Sequence, residues 1–380
     1  MRKDRLFTPG PTSVPEEVLL QMAKPVIHHR TEEFIGVAAR VFADLKYVFQ
    51  TQGDVLLLAS SGTGAMEAAV VNLLSPGDRM VAVCGGKFGQ RWAELGRAHG
   101  MDVDAIDVEW GAQLPADALR THLERTPSVK AVFTTLCETS TGTAFDVEGY
   151  ARVVSAFPDT VLVVDAVSGL GAVPCRTDEW GIDVVVSGSQ KALMLPPGLA
   201  CMSVSAKAWA RVEKTKTSRY YFDLRRYRKA LPKNDFPFTM AVSLVQGLAS
   251  SLAMIRSAGI ERVWDEHRKR AEATRQGVVA MGLRLFSSAP SDAVTAVALP
   301  DGIDGEALVK MLRKKFGISV AEGQDTLKGR IVRISHLGWQ DEFDVLTSLT
   351  ALGAGLKEFG WPAETGRAVE AASSVLFGTR

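Results

Sequence analysis

The sequence predicts an α/β fold in which a mainly parallel, doubly wound sheet precedes a smaller α+β region at the C-terminus. Short apolar runs alternate with helical patterns through about the first 215 residues. Continuous apolar runs rich in β-branched residues are typical of strands buried on both faces. Their alternation with helices favours a parallel sheet. Beyond residue 215 the alternation stops, and a long helical pattern leads into two further strand-like runs.

The predicted elements follow one another in a regular order. The strands of the large sheet are predicted at residues 55–59, 80–84, 131–135, 161–165 and 183–187. Helical patterns cover residues 65–74, 89–99 and 241–281, and the C-terminal strands are predicted at 293–299 and 329–335. At roughly 100–200 residues per domain, we predict an N-terminal arm over 1–14, a large domain over 15–260 and a small domain over 261–380. Residues 363–380 are small and polar, so we expect them to fray.

Composition and charge exclude several classes of protein. Hydrophobic residues make up 46% of the chain and charged residues 23%, which is ordinary for a globular protein and excludes a disordered or disulfide-stapled chain. The 44 basic and 43 acidic residues give no electrostatic basis for binding nucleic acid or an anionic membrane surface. The four cysteines form no CxxC pair, so we expect no metal site.

Targeting and membrane signals are also missing from the sequence. The first residues are basic and are not followed by an apolar segment of the kind that secretory signals contain. No apolar run approaches the roughly 20 residues that a membrane helix needs. We therefore expect a cytoplasmic protein with neither a nucleic-acid nor a membrane partner.

Three segments carry the chemistry. Residues 60–67 pass from a strand end through a glycine-rich turn into a helix, an arrangement that binds phosphate at the helix N-terminus. Asp165 ends an apolar strand, at the edge where α/β sheets bind ligands, although an acid there also caps helices. Lys191 follows the next strand among small and apolar residues. Burial there would lower its pKa and make it a nucleophile toward carbonyl groups.

Together these segments predict a pyridoxal phosphate site. This cofactor needs a lysine for its Schiff base, an acid against its pyridine nitrogen and an anion site for its phosphate. Asp165 precedes Lys191 by the length of a short crossover and one strand. Both side chains should therefore lie at the same edge of the sheet.

The motifs, taken in order, resemble those of the class V aminotransferases of pyridoxal-phosphate fold type I, and most closely the alanine–glyoxylate and serine–pyruvate group. The resemblance covers nearly the whole chain. It rests on ordered motifs at residues 8–12, 61–64, 86–91, 138–142, 165–167, 187–191 and 332–335.

The resemblance implies a role for each matching residue. Lys191 would carry the cofactor and move the proton, and Asp165 would pair with the pyridine nitrogen. The other implied cofactor contacts are Ser61, Gly62, Thr63, Phe88, Ser140, Val167 and Gln190, with Thr239 reaching across from a second subunit. Arg333 would bind the substrate α-carboxylate through its fork of N–H groups, and Gly10 would lie beside the substrate.

Two positions depart from the pattern of the family. Phe236 stands where relatives have a tyrosine that helps hold the phosphate from the partner subunit, and Phe88 stands where tryptophan is common. Arg30 lies in a segment typical of relatives called aspartate aminotransferases. It would then meet a second carboxylate, or else form an ion pair with Glu32 or Glu33.

The resemblance implies a homodimeric transaminase with shared active sites, in which residues 8–12 also cross to the neighbour. Such an enzyme would transfer the amino group of alanine or serine to glyoxylate or pyruvate by ping-pong chemistry. The alternatives are an aspartate-type aminotransferase acting with 2-oxoglutarate or oxaloacetate, and a catalytically silent protein that keeps the fold. A cysteine desulfurase is disfavoured because no cysteine lies beyond Cys201.

Overall fold

The computed structural model describes residues 3–378. Its strands are β1 (Arg5–Leu6), β2 (Asp54–Leu58), β3 (Arg79–Cys84), β4 (Asp102–Asp107), β5 (Val129–Thr135), β6 (Cys137–Glu138), β7 (Thr143–Ala144), β8 (Val161–Asp165), β9 (Val184–Gly188), β10 (Ala200–Val204), β11 (Arg284–Leu285), β12 (Val294–Ala298), β13 (Ile318–Ser319), β14 (Ala321–Glu322) and β15 (Ile331–Ser335).

The α-helices are α1 (Glu16–Met22), α2 (Glu32–Phe49), α3 (Gly62–Leu73), α4 (Lys87–Ala98), α5 (Ala116–Arg125), α6 (Val147–Val154), α7 (Thr177–Trp180), α8 (Ala206–Val212), α9 (Leu224–Ala230), α10 (Val242–Ala258), α11 (Ile260–Ala280), α12 (Gly305–Met311), α13 (Glu342–Glu358) and α14 (Thr365–Phe377). A π-helical turn at Leu312–Phe316 continues α12, and short 3₁₀ turns lie at Leu231–Lys233 and Asp325–Leu327.

The large sheet has seven strands in the order β2-β10-β9-β8-β5-β3-β4. All its neighbouring pairs are parallel except the two that β10 makes with β2 and β9. Alternate residues of one strand enter different cores, since Val55 and Leu57 pack on one face while Leu56 and Leu58 pack on the other. Burial on both faces explains why these strands are continuous apolar runs.

The predicted strands are all present, but two strands of the large sheet were missed. Strand β4 lies at the edge of the sheet, where its four middle residues are half-buried and the acids at its two ends are exposed. Strand β10 is buried, but Ser203 interrupts its apolar residues. Neither therefore carries the continuous hydrophobic signal that marks the central strands.

The long predicted helix is two helices, α10 and α11, which meet at Gly259. This glycine has φ of +86°, a backbone conformation that side-chain-bearing residues rarely adopt. The start of α11 packs in the core of the large region through Ile260 and Trp264, whereas Ala273 and Val278 pack in the core beside the second sheet. We keep a domain boundary near residue 260 as a proposal, with α11 as the connecting element.

The second sheet is small and antiparallel, with the strand order β11-β12-β15-β14. Helices α11, α13 and α14 pack together beside it. The expectation that the C-terminal segment frays is wrong for Thr365–Phe377, which is a helix. Ala368, Ala372 and Leu376 are buried at four-residue spacing on one face of this helix. Residues 1, 2, 379 and 380, which the predicted domain limits include, lie outside the described residues.

The N-terminal arm packs on its own chain. Strand β1 pairs with β13, and Phe7 is buried in the core of the C-terminal region. Thr12 donates hydrogen bonds to the backbone carbonyl groups of Gln190 and Lys191. Residues 8–12 thus contact the lysine of their own chain, and their crossing to a partner subunit stays a prediction. No helix within residues 3–378 combines the length and hydropathy needed to cross a membrane.

Candidate active site

A cavity of about 200 Å³ opens at the carboxyl ends of strands β2, β8 and β9. The structure brings most of the predicted cofactor-binding residues together around it, namely Ser61, Gly62, Thr63, Phe88, Asp165, Val167, Gln190 and Lys191. Strands β8 and β9 are adjacent and parallel, with Asp165 opposite Val186. Their carboxyl ends therefore meet at one edge of the sheet, as the spacing of the two motifs predicts.

Lys191 is buried, with 8% of its surface exposed. Its Nζ donates a hydrogen bond to the backbone carbonyl of Pro9. Burial lowers the pKa of this amine to about 8, and the negative charge of Asp165 partly opposes that shift. A neutral amine is therefore accessible near neutral pH, which is what a nucleophilic lysine requires.

Gly10 lies directly against the amine of Lys191. Its φ is +125°, and a Cβ atom at this position would come within 2.5 Å of both Cε and Nζ of Lys191. A glycine is therefore needed on two grounds, the backbone conformation and the space that the lysine occupies.

Replacing Gly10 with alanine should displace the Lys191 side chain and strain the backbone, so we expect less bound cofactor. Measuring absorbance of bound pyridoxal phosphate per protein chain checks this. Gly36→Ala is the matched control, because a Cβ there would meet nothing within 4 Å. Full cofactor loading in the Gly10 variant would contradict the close contact.

Asp165 ends strand β8 and is almost completely buried. One carboxylate oxygen accepts a hydrogen bond of 2.8 Å from the backbone N–H of Val167. Burial raises the pKa of Asp165 to about 6, and Glu138 adds to the shift while Lys191 and Arg91 oppose it. A buried carboxylate of this kind favours a cationic partner, such as a protonated pyridine nitrogen.

The glycine turn after β2 fits a phosphate group. Ser61 precedes α3, and its side chain caps no backbone group of this helix. Gly62 lies so close to Val167 that a Cβ would approach Val167 Cγ2 to 2.7 Å. The side-chain oxygen of Gln190 is buried without a hydrogen-bond partner. Free helix N–H groups therefore face a space suited to an anion, which Gln190 would contact through its NH₂ group, since its oxygen can only accept.

Arg91 is a cavity residue that the sequence reasoning missed. Its Nη1 donates a hydrogen bond of 3.2 Å to Thr63 Oγ1, and its guanidinium lies 4.8 Å from the centre of the Phe88 ring. Since Thr63 accepts this hydrogen bond, its own proton is free to be donated to a ligand. The only signal in the sequence was its place in the motif at residues 86–91.

We expect Arg91→Met to weaken cofactor binding roughly tenfold or more, since a charged hydrogen bond contributes about 1.5–3 kcal/mol. Arg91→Lys should lie between this variant and the original protein, because it keeps the charge but loses the planar contact with Phe88. Equilibrium titration of the cofactor-free protein with pyridoxal phosphate measures both. Equal affinity in all three proteins would remove Arg91 from the site.

Arg333 is buried in strand β15 outside the cavity lining, and it contacts that lining through Thr139. Its Nη1 donates to the carbonyl oxygen of Thr139 at 2.9 Å, while Nε and Nη2 donate to that of Glu322 at 3.0 and 2.7 Å. Burial lowers the pKa of the guanidinium to about 10, so it remains charged at neutral pH. Because no carboxylate among residues 3–378 forms a salt bridge with this guanidinium, its remaining N–H groups are available to a substrate carboxylate.

Besides Gly10 and Arg333, three predicted residues lie outside the cavity lining. The hydroxyl of Ser140 donates to Glu138 and accepts from the backbone N–H of Lys87, while the neighbouring Thr139 lines the cavity instead. Thr239 is exposed on the surface of the chain. Arg30 is also exposed, and its side chain contacts His29 rather than Glu32 or Glu33 among the described residues.

Phe236, where relatives have tyrosine, is a core residue here. Its ring is 3% exposed and lies 5.5 and 6.1 Å from the rings of Phe42 and Phe34. The phenyl ring therefore packs inside its own chain.

Within residues 3–378, no group of three or more His, Cys, Asp or Glu side chains is placed to hold a metal ion.

Comparison with known proteins identifies the family. The model of the family "Aminotransferase class-V" matches residues 5–342. "Soluble hydrogenase, small subunit" from Synechococcus sp. is 45% identical, over 98% of each chain. The L-aspartate–glyoxylate aminotransferase of Paracoccus denitrificans is 35% identical over 97% of this chain and 94% of its own. The serine–glyoxylate aminotransferase of Methylorubrum extorquens is 33% identical over 98% and 96%.

Solved structures agree with this comparison. Pyridoxamine–pyruvate aminotransferase from Mesorhizobium loti superposes with a TM-score of 0.95 at 28% identity, covering 99% of this chain and 97% of that one. Alanine–glyoxylate aminotransferase from Nostoc sp. gives 0.89 at 30% identity, covering 94% and 96%. The predicted fold type I is thereby confirmed. The chain belongs to the class-V aminotransferase family and is a pyridoxal-phosphate-dependent aminotransferase.

Proposed function

We propose that this aminotransferase moves the amino group of a small L-amino acid, alanine or serine, to glyoxylate or pyruvate. The observation that carries the proposal is the joint placement of Lys191 and Asp165 in one small cavity, with Arg333 held against it by a hydrogen bond to the carbonyl oxygen of the lining residue Thr139. A cavity of this size, with one buried arginine beside it, suits a substrate with one carboxylate and a short side chain. The names of the serine- and alanine-specific relatives support the same substrate class.

The cofactor would be held from three sides. Ser61, Gly62, Thr63 and Gln190 would bind its phosphate, and Phe88 and Val167 would pack on the two faces of its ring. Asp165 would face the pyridine nitrogen and keep it protonated, since a buried carboxylate favours a cation beside it. Lys191 would attach the cofactor covalently. Thr139 replaces Ser140 in this proposal as the residue of that turn that faces the cavity.

The chemistry divides between the cofactor and the chain. Pyridoxal phosphate, when bound, supplies an electron-poor ring that accepts the electron pair left when the amino-acid Cα loses its proton. Arg333 would hold the α-carboxylate and so orient the Cα–H bond. The neutral amine of Lys191 would take that proton from Cα and then donate it to the cofactor. A pKa of about 8 suits a group that both accepts and donates a proton near neutral pH.

The runner-up is an aspartate-type reaction, which the 35% identical aspartate–glyoxylate relative favours. A second cation would then have to reach the substrate side chain. Arg30 is exposed and lies outside the cavity of its own chain, so it would serve only from a partner subunit. The proposal follows the relatives named as aminotransferases rather than those named as hydrogenase subunits, because a lysine, a buried acid and two arginines suit a transaminase site.

Visible spectroscopy of the purified enzyme tests the substrate class. We expect the absorption band of bound cofactor to bleach with alanine or serine and to return with glyoxylate or pyruvate. Aspartate should bleach it more slowly at equal concentration. Faster bleaching with aspartate, abolished in Arg30→Ala, would establish the runner-up. A cofactor band that no amino acid bleaches would mean a catalytically silent protein.

We also propose that the protein is a homodimer with shared active sites. We propose a cytoplasmic location as well. Thr239 is exposed and free to reach a neighbouring subunit. Exposed apolar side chains at Leu19, Leu20 and Val26 would be covered by a second copy. Light scattering at low concentration tests the assembly, and an active monomer would contradict it.

A further inference from the structure

Glu138 is a fully buried acid to which the proposed mechanism gives no role. Its Oε2 accepts hydrogen bonds from the backbone N–H groups of Gly89 and Phe88, at 2.9 and 3.0 Å. Its Oε1 accepts from the backbone N–H and the hydroxyl of Ser140, at 3.1 and 2.5 Å. Each of these four groups donates a hydrogen bond to the carboxylate.

These contacts fit the ionised form of the side chain. Burial raises the pKa of Glu138, and its four hydrogen bonds oppose that rise. No salt bridge joins Glu138 to a basic side chain in the described part of the chain. Two of its donors belong to the first turn of α4, where free N–H groups and the helix dipole stabilise an anion. The carboxylate thus acts as the N-terminal cap of α4, although it comes from a distant part of the chain.

The surrounding backbone leaves room for this carboxylate. A Cβ atom on Gly86 would lie 2.5 Å from Cγ and Cδ of Glu138 and 2.5 Å from Ser140 Oγ. Phe88 donates its backbone N–H to this carboxylate, and its ring lines the cofactor cavity. The position of Phe88 therefore depends on a contact between Glu138 and the start of α4.

The same turn also contacts the arginine of the site. Thr139 follows Glu138, and its carbonyl oxygen accepts the hydrogen bond from Arg333 Nη1. Among the charged groups that act on Arg333, Glu138 contributes the largest effect, which favours the charged guanidinium. The turn from Glu138 to Ser140 thus contacts both Phe88, which would pack on the cofactor ring, and Arg333, which would bind the substrate carboxylate.

We propose that Glu138 is a positioning residue, which sets Phe88 over the cofactor ring and, through Thr139, sets Arg333 for the substrate carboxylate. The part that concerns Arg333 rests on the proposed function. The part that concerns Phe88 needs only the cofactor, so the two can fail separately.

Two variants separate the effect of the charge of Glu138 from the effect of its side-chain length. In Glu138→Gln, the amide NH₂ must face either the N–H groups of α4 or those of Ser140, so one set of donors loses its acceptor. In Glu138→Asp, the charge remains, but the carboxylate is one methylene shorter and cannot bridge both groups. Glu94→Gln on the exposed face of α4 is the matched control.

The first experiment measures cofactor binding and the visible circular dichroism of the full-length variants. Pyridoxal phosphate is achiral, so its dichroism reports the asymmetric contacts around its ring. We expect Glu138→Gln to weaken cofactor affinity at least about tenfold, as loss of a charge-assisted hydrogen bond does, and to reduce the dichroism per bound cofactor. Glu138→Asp should change both in the same direction by less, and Glu94→Gln should change neither.

The second experiment measures steady-state kinetics with saturating cofactor and the best amino donor. We expect KM for the amino acid to rise about tenfold in Glu138→Gln, with a smaller change in kcat, because Arg333 is displaced rather than removed. Unchanged affinity, dichroism and KM in either Glu138 variant would overturn the proposal. If Glu138→Gln does not fold, Glu138→Asp still decides. If the unaltered enzyme binds cofactor but does not transaminate, the proposed function fails while the binding and dichroism tests stand.

Discussion

Lys191→Ala should lose transaminase activity by a factor of at least roughly 10²–10⁴, the contribution of a positioned acid–base group. The variant should still bind pyridoxal phosphate, because Asp165 and the phosphate turn remain. Nothing else that lines the cavity carries an amine to replace the lysine. Single-turnover measurements with the preferred amino acid give the size of the loss directly.

Two further variants make this prediction specific. Lys191→Arg keeps a positive charge but offers neither a nucleophile nor a base, so it should be as inactive as the alanine variant. Lys24→Ala, at an exposed position, should leave activity unchanged. Substantial turnover by Lys191→Ala would assign the proton transfer to another group, and the mechanism given for this cavity would be wrong.

Arg333→Lys should raise KM for amino acids by about 10–100-fold, since a charge-assisted hydrogen bond contributes about 1.5–3 kcal/mol. The guanidinium contacts the carbonyl oxygens of Thr139 and Glu322 at the same time. A lysine ammonium is a single point of charge and cannot span both carbonyls while keeping a fork for the substrate. Steady-state kinetics with alanine and serine measure the change.

Arg330→Lys is the matched control for this prediction, because Arg330 lies just before the same strand but is exposed. Cofactor affinity should remain close to that of the unaltered protein in the Arg333 variant. An unchanged KM, or a loss of cofactor affinity as large as the loss of substrate affinity, would show that Arg333 does not serve the substrate carboxylate.

The central part of the fold was predictable because its physical signal is local. Strands such as β8 and β9 are buried on both faces, so their sequences are uninterrupted apolar runs. The edge strand β4 and the antiparallel strand β10 lack that pattern. The last helix was missed because its small residues become apolar contacts only after α11 packs against them.

The residues of the site were likewise predictable only where their signal is local in the sequence. Lys191 and Asp165 stand at strand ends, so their meeting at one edge follows from the order of the strands. Arg91 and Glu138 could not be assigned in this way. Arg91 acquires its role through Thr63, which is distant in sequence, and Glu138 through the start of α4. Such contacts depend on packing rather than on spacing along the chain.

The most direct test of the account is to locate the covalently held cofactor. Borohydride reduction of the purified enzyme makes an imine bond permanent, and peptide mass spectrometry then identifies the modified lysine. The account predicts a single cofactor adduct on Lys191, which disappears when the enzyme is first treated with its amino-acid substrate. An adduct on a different lysine, or none after loading with pyridoxal phosphate, would contradict the assignment of this cavity as the active site.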